Sequence, residues 1–268
     1  MSERYWQITT FVVVLGAIFF GLYQYYAPRD HLVIGSAEPE LPVYDDPFLL
    51  GEYYFNHDPN YAGEAYDLQK AREYYTEAIM TDSPNNHMAW YQLGRIDFIE
   101  GKFLSALYKF DKYSEYAPLG APSPDYMIGL VYGYKAKYSD DPGDWERAAK
   151  HFERFIEVAP IAWAPRVDLA WVYFASGKYE AMLPHLEEGL VHNPNNAWLH
   201  NMYGLALLNT DQKTKAREHF VLAEVAAAEL TVADWGRAYP GNDPLVWDDG
   251  LREFQEAIAQ NITLSNNQ

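Results

Sequence analysis

The chain has 268 residues, 49% of them apolar, which is enough to bury sizeable cores and excludes a globally disordered protein. Its formal net charge is −18, and residues 1–30 add nothing to it, because Glu3 and Asp30 cancel Arg4 and Arg29. A field of that sign repels phosphate backbones and argues against nucleic acid as a partner. The lack of cysteine excludes disulfide scaffolds, thiol catalysis and cysteine-zinc sites.

The first element is the uncharged run Tyr5–Ala27, 23 residues long, enough to cross about 30 Å of hydrocarbon as a helix. Tyr5 and Trp6 at one end and Tyr23, Tyr25 and Tyr26 at the other suit the two interfaces of a bilayer. A cleaved signal peptide would need a shorter apolar core and a small-x-small site, whereas this run ends in Leu22-Tyr23-Gln24-Tyr25-Tyr26. Residues 5–27 are therefore expected to be a single transmembrane anchor in contact with lipid. Arg4 precedes the run, and the acids Asp30, Glu38, Glu40, Asp45 and Asp46 follow it. That bias predicts a cytoplasmic N-terminus and an extracytoplasmic remainder. Residues 28–43, with Pro28, Pro39 and Pro42, read as an acidic tether.

From residue 44 the chain repeats. The clearest unit is 87–120, with Trp90, Leu93-Gly94, Gly101, Ala106, Phe110 and Pro118. Residues 163–196 carry Leu169-Ala170, Tyr173, Gly177, Leu186, Gly189 and Pro194, and residues 197–230 carry Tyr203-Gly204, Ala216, Phe220 and Ala223. Two longer units fit the same frame. In 44–86 stand Leu50-Gly51, Tyr54, Ala71, Tyr75, Ala78 and Pro84, with extra residues around 57–67; in 121–162 stand Ile128-Gly129, Tyr132, Ala148, Phe152 and Pro160, with extra residues at 139–144. Small residues at Gly94, Gly129, Ala170 and Gly204 would let paired helices approach, with Phe110 filling the contact. Asp97 departs from the frame, standing where an aromatic is usual, and so does Tyr113, standing where a small residue is usual.

These residues and spacings resemble the tetratricopeptide repeat, a 34-residue helix–turn–helix unit. The resemblance implies five repeats over 44–230 in an all-α fold, a right-handed α-α superhelix or solenoid, preceded by the transmembrane helix. Residues 231–243 read as a polar linker. An amphipathic capping helix with Trp247, Leu251, Phe254 and Ile258 then leads into a tail expected to fray after Ile262.

No nucleophile elbow, P-loop, dinucleotide turn or His-Glu-x-x-His pair occurs, so no enzyme, cofactor or metal site is expected. Asp140, Asp141 and Asp144 fail the calcium-loop pattern, because His151 or Phe152 stands where its glutamate belongs; they read as a solvated turn. His185, His192 and His200 are spread over different repeats and read as surface or packing residues. Asn261-Ile262-Thr263 fits a glycosylation triplet, a pattern common by chance. In the resembled family the first helix of each unit faces a groove that receives extended peptides. The resemblance places Phe48, Glu52, Phe55, Tyr91, Arg95, Phe98, Tyr126, Trp171, Phe174, Asn201 and Leu205 on that face. The expected function is a membrane-tethered interaction scaffold or co-chaperone with protein partners. The alternative is a structural subunit of a larger membrane complex, such as a secretion, pilus or cytochrome-assembly machine.

Overall fold

The computed structural model describes residues 45–55, 66–81, 83–139, 141–238 and 246–266. The expected anchor at 5–27, the tether at 28–43, most of the extra residues at 57–67 and residues 239–243 of the expected linker lie outside the described residues. Among the described residues there are twelve α-helices, and none is long and apolar enough to cross a membrane. They fall into two compact blocks that divide after Val131.

The first block holds α1 (Pro47–Phe55), α2 (Leu68–Met80), α3 (Asn86–Ile99) and α4 (Phe103–Tyr116), each packed on the next. Helix α5 (Asp125–Ser139) begins in this block and ends in the second. The second block continues with α6 (Pro142–Val158), α7 (Ala164–Ala175), α8 (Tyr179–His192), α9 (Ala197–Asn209), α10 (Lys213–Ala228), α11 (Val232–Ala238) and α12 (Trp247–Asn266). From α6 to α10 each helix packs on its successor, and α12 packs on α10 and α11.

Close approach within the pairs is set by glycine. A Cβ on Gly94 would lie 2.8 Å from the Phe110 ring, and one on Gly204 would lie 2.5 Å from Phe220. Both rings are fully buried, so neither can step aside. The turn between paired helices also recurs. Gly101 and Gly177 both take φ 71°, and the next amides reach back, Lys102 N to Asp97 O at 2.7 Å and Lys178 N to Tyr173 O at 2.8 Å. This is the left-handed cap that glycine reaches without strain. In the last pair Asp211 adopts it at φ 60°, and Gln212 N bonds Leu207 O at 2.9 Å.

Asp97 is buried and accepts from Arg72 of α2 at 2.7 Å and from Lys109 and Ser105 of α4, each at 2.5 Å. Arg72 also pairs with Glu100 at 2.6 Å. Where other pairs stack rings (Tyr54 on Tyr74, Tyr132 on His151), this pair substitutes an ion pair. Tyr113 is buried and donates to Pro122 O at 2.7 Å, which ties α4 to the chain entering α5.

Three sequence expectations are corrected. The surplus at 139–144 is a solvated turn only in part: Asp141 is exposed, but α5 runs to Ser139, and α6 starts at Pro142 under an Asp141 cap whose side chain accepts from Gly143 N at 2.9 Å. Asp144 is fully buried between Lys135 and Arg147. The supposed linker at 231–243 contains α11, whose Trp235 is buried. The tail does not fray after Ile262, because α12 continues to Asn266 with Ser265 buried. Trp247, Leu251, Phe254 and Ile258 all face inward along α12.

Candidate partner-binding face

The structure sorts the groove residues inferred from the sequence into two groups. Phe48, Phe55, Phe98, Trp171, Phe174, Asn201 and Leu205 are buried. Phe48 and Phe55 pack around Tyr75, with centroids at 5.7 and 6.1 Å. Phe98 packs on Phe103, and Phe174 on Tyr179. Trp171 is enclosed by Tyr134 at 5.2 Å and Trp145 at 5.4 Å, and it fills the space over Gly133. Asn201 accepts from Asn261 of α12 at 3.0 Å in a buried bond. That bond lays the α12 helix over the expected groove position Asn201, and it leaves the Asn261 amide no room to carry a glycan.

Tyr91, Arg95, Tyr126 and Glu52 keep part of their surface open. All four lie in the first block. Tyr91 and Arg95 stand one turn apart on α3, and Tyr126 begins the next first helix. Tyr91 leans on Phe110 at 5.4 Å and Tyr113 at 5.2 Å, which fixes its ring. Arg95 lies over the Phe55 ring at 4.5 Å and donates to Gln92 Oε1 at 2.9 Å. Gln92 in turn donates to Glu52 Oε1 at 2.6 Å, and the Tyr75 hydroxyl donates to the same oxygen at 2.7 Å.

Burial sets the electrostatics of this cluster. It holds the Arg95 guanidinium below its ordinary range, and neighbouring Tyr91, Tyr75 and Glu52 only partly offset that. Burial raises the Tyr91 phenol, and burial followed by the Glu52 charge raises Tyr75 further. The phenols therefore stay neutral donors at physiological pH, around one cation in an acidic chain. Such a face offers hydrogen-bond donors, a cation and flat rings to a backbone. Among the described residues no three His, Asp or Glu side chains converge to hold a metal ion.

Two residues of the structure's polar networks went unread in the sequence. Gln92 gave no signal, since nothing marks a glutamine beside an arginine as its carrier. His219 had one: His151, His185 and His219 fall 34 residues apart, the period of the repeat itself. Each meets a tyrosine of its own helix pair: Tyr132 at 5.7 Å, Tyr173 at 5.9 Å and Tyr203 at 4.6 Å.

Two family models, both described as tetratricopeptide repeat, match residues 136–181 and 185–218. Residues 136–181 and 185–218 therefore carry tetratricopeptide repeats, within an all-α fold. A crystal structure of MamA is similar with a TM-score of 0.51 at 17% identity, over 61% of this chain and 90% of that one. A thermophilic TPR protein of Thermus thermophilus aligns with a TM-score of 0.49 at 17% identity, over 73% of this chain and 96% of its own. YrrB, a TPR protein with an unusual peptide-binding site, aligns with a TM-score of 0.47 at 19% identity, over 60% and 79%. No curated protein matches the chain.

Proposed function

We propose that this chain is a bilayer-tethered, non-enzymatic scaffold that holds extended segments of partner proteins against the first-helix face of residues 45–131. The observation that carries the reading is the partly open Tyr91–Arg95 pair on α3, braced by Gln92 and Glu52, while Phe48, Phe55, Phe98, Trp171, Phe174, Asn201 and Leu205 are consumed by packing. Rings fixed before binding lose little entropy on contact, and tyrosine and arginine are the side chains that dominate such interfaces. The tether rests on the uncharged run Tyr5–Ala27, and the acids after it favour an extracytoplasmic repeat region.

A photo-crosslinking amino acid placed at Tyr91 and, separately, at Tyr126 of the full chain tests the reading, with Tyr108 on α4 as the comparison site. Adducts from 91 and 126 but not 108 are expected. Adducts from 108 alone would refute the face. They would instead favour a fixed subunit of a membrane complex, a reading that has its own observation: Leu104, Tyr108, Tyr116 and Leu119 are 72%, 54%, 51% and 107% exposed along α4 and its exit.

A further inference from the structure

His200 on α9 is buried, and His219 on α10 is half-buried. Their Nδ1 atoms are 2.9 Å apart, and His200 Nε2 lies 2.8 Å from the carbonyl oxygen of Pro194. A carbonyl only accepts, so His200 carries its proton on Nε2. A neutral imidazole has a single N–H, so His200 Nδ1 is the acceptor and His219 Nδ1 the donor. The arrangement links α9, α10 and the connector that precedes α9 through two histidines in defined tautomers. The preceding repeat makes the equivalent bond to its connector without a titrating group: Arg166 donates to Pro160 O at 2.8 Å, again six residues back.

The pair tolerates one added proton and not two. The first enters His219 at Nε2 and leaves the Nδ1–H···Nδ1 bond in place. The second must enter His200 at Nδ1, directly against the His219 N–H, and the bond breaks. Glu218 on α10 is the charge that favours protonation of His219. From α8, Glu187 is already engaged by the Tyr203 hydroxyl at 2.6 Å, while the Tyr203 ring meets His219 edge-on. Neither α7 nor α12, which also pack here, sends a charge that acts on either ring among the described residues.

We infer that the His200–His219 bond is an acid-sensitive latch on the last repeat, closed near neutral pH and opened by double protonation, which loosens α9 and α10 and frees the α12 helix they carry. Opening uncovers Trp198, which stacks on Phe254 at 5.5 Å, and Asn201, which is bonded to Asn261. The latch therefore controls access to the expected groove position that α12 covers, independently of the first-block face. Burial lowers both histidines from their ordinary value of 6.5. The unfolded segment then binds more protons than the folded one as pH falls below 6.5, so the latch contributes fully above that value and is lost below it.

Hydrogen exchange on the full chain in detergent, at pH 7.5 and 5.0 and corrected for intrinsic exchange rates, tests the latch. Amide protection in α9, α10 and α12 is expected to fall in acid by well over about twofold, because the folded pair resists the protons that the opened segment takes up. His219→Gln keeps a donor and acceptor without a titrating charge, and it should hold its protection within about twofold across that range. Unchanged protection in the parent chain, or an equal loss in His219→Gln, would overturn the inference. Should the variant misfold, nitrogen-15 histidine spectra of the parent decide: the second protonation must coincide with loss of α9–α10 protection, and two imidazolium rings with protection intact would refute the latch.

Discussion

At the scale of single residues the repeat frame is a set of contacts with no slack. Gly204→Ala places a carbon 2.5 Å from the buried Phe220 ring, so it should cost about 1–3 kcal/mol by overpacking, and Phe220→Leu in the same chain should recover part of that loss. Denaturant melts of the four-member cycle measure the coupling. These contacts were legible in advance, because the small residue and the ring recur at fixed spacing. Asp97 was legible only as a departure: its aspartate is visible in the frame, but Arg72, 25 residues away on another helix pair, is not. Burial pushes the Asp97 carboxyl up, yet its bonds from Lys109, Ser105 and Arg72 win and hold it below 3.8. Its contribution is therefore complete above that pH and disappears as pH falls through the folded value. Asp97→Asn should cost about 3–5 kcal/mol at pH 7 and lose less stability than the parent between pH 4 and 2 in urea melts. A parallel loss in both chains would remove Asp97 from the acid response.

At the scale of elements the informative case is the hairpin α5–α6. Its surplus residues looked like an inserted loop because they are Ser, Asp, Pro and Gly, which usually mark turns. Pro142 is compatible with the first turn of a helix, and Asp141 caps it, so the same residues start α6 early. The extension then buries Asp144 against Lys135. Removing Lys135 leaves the fully buried Asp144 carboxylate with the exposed Arg147 alone, whereas replacing both Lys135 and Asp144 with apolar groups leaves no buried charge. Lys135→Met alone should cost up to about 3 kcal/mol, and Lys135→Met with Asp144→Leu should return most of it. If calorimetry finds the double change as damaging as the single, the pair does not carry the hairpin. Helix α11 was missed for a different reason: seven residues with one buried tryptophan carry too little periodicity to stand out.

At the scale of the whole molecule the sequence shows which helix faces could meet a partner but not which ones do. Trp171 and Arg95 occupy equivalent first-helix positions, 76 residues apart in the repeat frame. One is closed over by Tyr134 and Trp145, and the other keeps an open side, because burial depends on residues far away in sequence. The proposed anchor makes its own prediction. The full chain should stay in the pellet after alkaline carbonate washing, and deletion of residues 1–30 should release a soluble helical protein; full-length chain in the wash would show the run to be peripheral or removed. The central claim is that residues 45–131 hold partner segments through Tyr91 and Arg95. Its most direct test is partner retention by the full chain in detergent, quantified by mass spectrometry beside the Tyr91→Ala, Arg95→Ala double variant, with melting curves for both. The account predicts that retention of specific partners falls on the order of a hundredfold, at about 2 kcal/mol or more for each hot-spot side chain, while cooperative melting is preserved. Retention equal to that of the parent chain, with the double variant folded, would contradict it.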